Sequence, residues 1–195
     1  MKTNSGIRKN LENYSYRVIE VDLSRKILQP EDVMELARET SDEVIRDVTN
    51  ECHTAFQSIV TEMKEEAPDY LITPLGSGEA YVGLYQGLKK HRLKTKLVGG
   101  GVHHLRDHEL SLRACPSIAD KLYTPFTPYR KKIMSILEEG HLYLHLSEKQ
   151  IKDAYNKVKS LISCEPSSAA AFAALPKLNI NKDSKVIVIN SGKGI

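Results

Sequence analysis

One stretch, Asp69 to Lys89, constrains the fold of this chain more than any other. Tyr70 to Thr73 is a short apolar run with the length and β-branched content of a strand. The chain then turns through Gly76-Ser77-Gly78 and continues with apolar residues at Val82, Leu84, Tyr85 and Leu88, which is helical spacing. A glycine-rich turn between a strand and a helix leaves backbone N–H groups free at the positive end of the helix dipole. That arrangement binds anions, and phosphate is its usual occupant. Glycine permits positive φ and leaves space against the backbone. A plain tight turn gives the same local pattern, so the choice between turn and phosphate site rests on the remainder of the chain.

The remainder alternates strands and helices. Tyr16 to Leu23 has strand character, and Gln29-Pro30-Glu31-Asp32 reads as a helix start, with Pro and carboxylates in the first turn. Ala55, Ile59, Val60 and Met63 share one helical face. Lys96-Leu97-Val98 reads as a strand closed by Gly99-Gly100-Gly101. Val102 to Leu142 has little periodicity beyond a proline-rich turn at Pro125 and Pro128. Leu142 to Leu146 is strand-like. Ser147-Glu148-Lys149-Gln150 is a capping box opening a helix with Ile151, Ala154, Val158 and Leu161 inward. Ala169 to Leu175 is apolar on all sides, as in a buried helix. Lys185 to Asn190 is a continuous apolar strand ending in Ser191-Gly192-Lys193-Gly194. The pattern implies an α/β fold with a parallel sheet, whose ligands bind at the carboxyl ends of the strands. The turns after Thr73 and after Asn190 would both lie there and face one crevice.

Bulk properties narrow the classes. The 28 basic and 25 acidic residues are interspersed and leave a net charge of +3, which makes no electrostatic case for nucleic acid or an anionic membrane. Cys52, Cys115 and Cys164 are far apart and form no CxxC pair, so a reduced, cytoplasmic setting is expected. The polar N-terminus carries no signal-peptide core, and no apolar run is long enough to span a bilayer. His104 and His108 lie four apart near Asp107, but the three glycines upstream and the missing glutamate motif give no metal site. His141 and His145 read as strand or surface histidines, and Lys89 to Arg92 as a basic helix end complementing the dipole.

Five separate stretches, in the same order and at similar spacing, resemble one family: the pyridoxal-phosphate enzymes of the tryptophan-synthase-β fold (fold-type II), such as threonine synthase, cysteine synthase and threonine/serine dehydratase. Ala55 to Glu62 followed by Ala67-Pro68-Asp69 resembles the helix before that family's phosphate loop. Gly76-Ser77-Gly78-Glu79-Ala80 lies where the loop would be. Ser117-Ile118-Ala119-Asp120 resembles its "T-I-A-D" segment, Glu165 to Ala170 its "E-P-S-S-A-A" helix start, and Ile187 to Gly194 its final strand and "T-G-x-G" turn. The resemblance implies a three-layer parallel sheet of this fold. It also implies that pyridoxal 5'-phosphate is held by Gly76, Ser77, Gly78, Glu79 and Ala80 at its phosphate and by Ser191 at its pyridine nitrogen. A neutral hydroxyl at that nitrogen is associated with β- or γ-elimination and replacement.

Two departures modify the expectation. The family's Schiff-base lysine, in "G-S-x-K", and its "S-S-G-N" loop are not found at the expected distance; Ser5-Gly6-Ile7-Arg8-Lys9 imitates the first and is rejected. Lys9 to Tyr14, running into Arg17 to Val21, resembles a later family segment instead. The fold is therefore expected to be incomplete, with residues 1–50 a remnant of the small lobe and 51–195 the cofactor-phosphate lobe. Catalysis is expected to be absent from this chain alone and an amino-acid substrate to require the missing part. The alternative is a non-enzymatic, truncated or degenerate module for phosphate-ligand binding or assembly. An uncovered sheet edge at residues 1–50 and the Leu71 strand would drive homodimerisation or binding of a partner chain. The second departure is Glu79. At ~6 Å and an effective dielectric of ~20, its carboxylate would repel each phosphate charge by about 3 kcal/mol, so weak or vestigial cofactor binding is expected unless it points away.

Overall fold

The computed structural model describes residues 5–14, 32, 35, 38–39, 52–106, 109–111, 117–124 and 127–192. The chain divides into a unit of residues 1–45 with residue 195, and a second of residues 46–194. The first unit holds helix α1 (Ser5–Tyr14), in a stretch that reads from sequence only as polar. Arg8 and Glu12 on it form an i,i+4 ion pair. The strand expected at Tyr16 to Leu23 lies outside the described residues; of the helix expected to follow it, Asp32 is helical.

In the second unit a 3-10 turn, Cys52–Phe56, leads into α2 (Gln57–Met63). Val60 and Met63 of α2 are buried as its pattern requires, whereas Ala55 is exposed because the 3-10 geometry rotates it off that face. Strand β1 (Tyr70–Pro74) follows, then α3 (Glu79–Lys90) and β2 (Lys96–Gly101). A small antiparallel pair, β3 (His104–Arg106) and β4 (Glu109–Ser111), and a 3-10 turn at Asp120–Leu122 occupy part of the stretch with little periodicity. Then come α4 (Arg130–Glu138), β5 (Leu142–His145), α5 (Glu148–Val158), α6 (Pro166–Ala174) and β6 (Val186–Val188).

Four strands form one parallel sheet in the order β5-β2-β1-β6. Alternation along β1 divides the core. Leu71 packs with Leu97 and with α2, α3 and α4 on one side; Ile72 and Val98 pack against Ala171 and Ala174 of α6 on the other. Both β1 side chains are fully buried, a contribution of about 1.5–3 kcal/mol each. The α/β class with a parallel sheet is as expected, and the layers are three: helices, sheet, helix.

Four local expectations change. The Leu71 strand is no edge, since β2 and β6 flank it. Gly99, Gly100 and Gly101 do not close β2 but form its second half, pairing with Tyr143, Leu144 and His145. The strand of Lys185 to Asn190 is shorter and only half-buried; among the described residues β6 is an edge strand. Leu161 is exposed, because α5 ends at Val158. The capping box forms as read: Ser147 Oγ accepts from Gln150 N, and Gln150 Oε1 accepts from Ser147 N.

Candidate functional site

The chain passes from β1 outward to β2 and β5, then returns to place β6 on the free side of β1. This reversal is a topological switch point, and the carboxyl ends of β1 and β6 diverge around a crevice there. A cleft of about 430 Å³ occupies that place. Its walls include Thr73 and Pro74 after β1, Gly76 and Ser77 of the first glycine turn, Ala80 and Leu84 of α3, and Ile189, Asn190 and Ser191 after β6. The first glycine turn and the start of the second, Asn190 and Ser191, thus open on one crevice.

Each wall is fixed by local chemistry. Leu75 N donates to Gly100 O at 2.8 Å, which holds the exit of β1 against β2. Gly78 adopts φ +92°, a conformation that favours glycine, and turns the chain into α3. As N-cap it brings no side chain to the first-turn N–H groups of α3, and no side-chain cap bond is present. A Cβ at Gly78 would lie 2.4 Å from Ile133 Cδ1, so this residue faces α4 rather than the cleft. Glu79 begins α3 and is half-buried, and neither it nor Gly78 lines the cleft. Of the six expected residues the structure therefore brings Gly76, Ser77, Ala80 and Ser191 together at the cleft, with Gly78 and Glu79 behind the turn.

Beneath the turn lies His103, buried, with Nε2–H donating to Gly76 O at 3.1 Å. Tyr143 OH donates to the His103 carbonyl at 2.7 Å. Burial holds the His103 imidazole below its ordinary pKa; the bond to Gly76 works in the opposite direction and the neighbouring His104 adds to the lowering. The spacing of histidines in the sequence draws attention to His104 and His108, not to His103, the histidine that supports the turn.

The opposite wall comes from α6 and the turn after β6. Ser168 and Ser191 hydroxyls meet at 2.9 Å, tying the second turn to the start of α6. Asn190 Nδ2 donates to Ser163 O at 2.8 Å, and Glu165 N to Gly192 O at 3.0 Å. Glu165, Ser167 and Lys121 also line the cleft. Lys121 Nζ donates to Glu165 Oε2, and Ser167 Oγ accepts from Lys121 N. Lys121 directly follows the Ser117-Ile118-Ala119-Asp120 segment singled out in the sequence. Its place in the cleft depends on packing of the 3-10 turn against Gly76, which no local pattern announces.

The arrangement can receive an elongated anionic ligand. The cleft wall offers the backbone of Gly76 and Ser77 leading into α3, and a hydroxyl, Ser191. Pyridoxal phosphate needs a phosphate cradle and a partner for its ring nitrogen, and the residues present fit those needs.

No curated protein matches the chain. Among solved structures it is similar to serine racemase from maize, with a TM-score of 0.72, 17% identity, and coverage of 98% of this chain and 63% of that one. Serine racemase from Dictyostelium discoideum gives 0.68, 23%, 98% and 66% for the same quantities. The processed form of threonine deaminase isoform 2 from Solanum lycopersicum gives 0.62, 18%, 83% and 52%. The chain thus spans less than two thirds of the length of these structures, and at such identities the likeness is one of fold. The sequence profile described as "Pyridoxal-phosphate dependent enzyme" matches residues 2–192, nearly the whole chain. By that match, and by the fold its neighbours share, the chain belongs to the fold-type II family of pyridoxal-phosphate dependent enzymes.

Proposed function

We propose that this chain supplies the cofactor-phosphate lobe of a threonine-synthase-like enzyme that eliminates or replaces a group on an amino acid. The observation that carries this reading is the convergence of Gly76 and Ser77 with Asn190 and Ser191 on one cleft at the switch point between β1 and β6. Backbone N–H groups of Gly76, Ser77 and Ala80 would hold the phosphate at the start of α3, with Gly78 shaping the turn. The Ser191 hydroxyl, fixed by Ser168, would meet the ring nitrogen. When bound, pyridoxal phosphate supplies the electron sink for carbanion chemistry; the protein places and tunes it. Threonine deaminase, the serine racemases and the hydrogen sulfide-producing enzyme from Fusobacterium nucleatum are neighbours of the same fold and support an amino-acid substrate. Alone, without the "G-S-x-K" lysine, the chain binds the cofactor and does not turn over serine or threonine.

Thermal unfolding against rising pyridoxal phosphate tests the reading. A ligand binding only the folded chain stabilises it by RT ln(1 + [L]/Kd), about 2.7 kcal/mol at a hundredfold excess over Kd. Stabilisation by pyridoxal phosphate and inorganic phosphate, with little from pyridoxal, is the expected result. A flat response to all three at millimolar concentration would show that the first glycine turn is only a turn and leave the non-enzymatic module as the better account.

A further inference from the structure

We propose that Lys121 is a phosphate-binding residue of the cleft, its ammonium held at the cleft wall by Glu165. The inference deepens the proposed cofactor site and rests on it.

Among the described residues, Lys121 and Glu165 are the charged ones lining the cleft. Without the lysine the walls would carry one uncompensated carboxylate, which repels a phosphate. The backbone of Lys121 is firmly placed. Its N–H donates to Ser167 Oγ at 3.2 Å, and the next residue, Leu122, is buried and donates through its N–H to Ala119 O at 3.0 Å. A Cβ built at Gly76 would lie 3.1 Å from Leu122 Cα and 3.3 Å from Lys121 O. The 3-10 turn therefore rests directly on the first glycine turn, and glycine at 76 makes that approach possible.

The ion pair is built rather than incidental. The Glu165 side chain is 10% exposed, while that of Lys121 is 53% exposed. Glu165 occupies the N-cap of α6, yet its carboxylate makes no cap bond and turns to Lys121 instead. A Cβ at Gly192 would lie 2.6 Å from Glu165 Cδ, so Gly192 folds closely over the carboxylate. The carboxylate is walled in by Gly192, and the half-exposed Lys121 lines the cleft beside it. A lysine ammonium has three N–H donors. Glu165 takes one, which leaves two for an anion in the cleft. Such charge-assisted bonds are stronger than neutral ones.

Calorimetric titration of inorganic phosphate, pyridoxal phosphate and pyridoxal into wild type, Lys121→Met, Lys121→Gln and Lys121→Arg tests the assignment. Lys121→Gln is a second neutral variant that still donates to Glu165, should the methionine variant fold poorly. The expected result is an affinity loss of about tenfold, or ~1.4 kcal/mol, for both phosphate ligands in the two neutral variants. Lys121→Arg should stay within about threefold of wild type, and pyridoxal should not respond to the substitutions. A lysine that only offsets Glu165 would leave phosphate affinity equal in Glu165→Gln and in Glu165→Gln/Lys121→Met, whereas a phosphate-binding lysine loses affinity there too, with pyridoxal unaffected. Equal phosphate affinity in wild type and the neutral variants would overturn the assignment while leaving the cofactor cleft standing. Absence of binding to wild type would overturn both. A borohydride-trapped pyridoxyl group on Lys121 would also overturn it, by placing the amine at the aldehyde end of the ligand.

Discussion

Two glycine runs lie side by side at the carboxyl ends of neighbouring strands, and they do different things. Gly76-Ser77-Gly78 leaves β1 and starts α3, while Gly99-Gly100-Gly101 stays inside β2. In the first run Gly78 serves backbone conformation, as its φ of +92° shows, while Gly76 makes room for Leu122. In the second it serves close approach. A Cβ at Gly99 would lie 2.7 Å from Leu75 Cδ1, at Gly100 2.8 Å from Ala170 O, and at Gly101 2.4 Å from Leu75 O. The loop after β1 and helix α6 press on β2 from opposite faces, and only a strand without side chains allows it. Identical residues in a sequence thus mark either a turn or a contact, and the consequences of substitution differ.

The largest effect is expected at Gly101. The atom its Cβ would strike is a backbone oxygen on the segment that enters the first glycine turn, and it cannot rotate away. Overpacking a core usually costs about 1–3 kcal/mol, and Gly101→Val should reach or exceed the upper figure. For a chain of this size that is roughly 6–12 °C in Tm, read by circular dichroism. A loss under a few degrees would mean that β2 does not continue through its glycines.

A smaller and composite loss is expected at Gly78. Gly78→Ala meets Ile133 Cδ1, the far end of a side chain, and also forces a non-glycine residue to positive φ. The left-handed conformation alone costs about 1–2 kcal/mol. Ile133→Val removes the clashing methyl, so the double variant Gly78→Ala/Ile133→Val should recover the steric part and keep the conformational part. Full recovery in the double-mutant cycle would put Gly78 in the same class as the β2 glycines; no recovery would show that Ile133 already yields.

The same contrast explains what could be read from sequence. β1, its turn and α3 are local signals: an apolar run, glycines, a helical face. So are the Ser147–Gln150 box and the alanine-rich α6. The extension of β2 through three glycines has no local signal, because its cause is the approach of Leu75 and Ala170. Helix α4 is hidden behind Pro125 and Pro128 and a basic first turn, although Ile133 and Ile136 are spaced to face inward. At the cleft, Gly76, Ser77 and Ser191 are legible as turn residues and Ala80 as the first turn of α3. Lys121 is not, since a tertiary contact with Gly76 brings it there.

The turn that holds the first glycine run and the strand that holds the second are each tied to a histidine, which gives the comparison a pH dependence. His103 Nε2–H donates to Gly76 O, while at the start of β2 Leu97 N donates to His141 Nδ1 at 3.0 Å. Burial lowers the pKa of both rings; at His141 the Lys96 charge adds to the lowering and Glu139 opposes it. A histidine whose folded pKa lies below its unfolded value favours the neutral form in the fold. Stability is therefore fully present above the unfolded value of 6.5 and falls as pH drops from there through the folded pKa. Urea unfolding at pH 7.5 and pH 5.5 should show this loss, reduced in His141→Asn and in His103→Asn. At His141 the proton would occupy the nitrogen that accepts from Leu97, so the larger share of the loss is expected there. A pH-independent midpoint would contradict both assignments.

The smallest effect concerns Glu79, and it has opposite signs for the free and the bound chain. The carboxylate stands in the first turn of α3, where it complements the helix dipole by about 0.3–1 kcal/mol. It lies behind Gly78 rather than in the cleft wall, so its repulsion of a phosphate is weaker than the contact value of about 3 kcal/mol that a facing carboxylate would exert. Glu79→Gln keeps the size of the side chain and removes the charge. The free chain should lose a few tenths of a kcal/mol, about 1–2 °C in Tm. Phosphate binding should tighten by about two- to threefold, or ~0.5 kcal/mol. Screening by salt should shrink both changes. A tightening of a hundredfold would instead mean that the Glu79 carboxylate faces the phosphate and that the first glycine turn reorients on binding. No change in affinity beside the loss of stability would mean that α3 uses Glu79 for its own N-terminus alone.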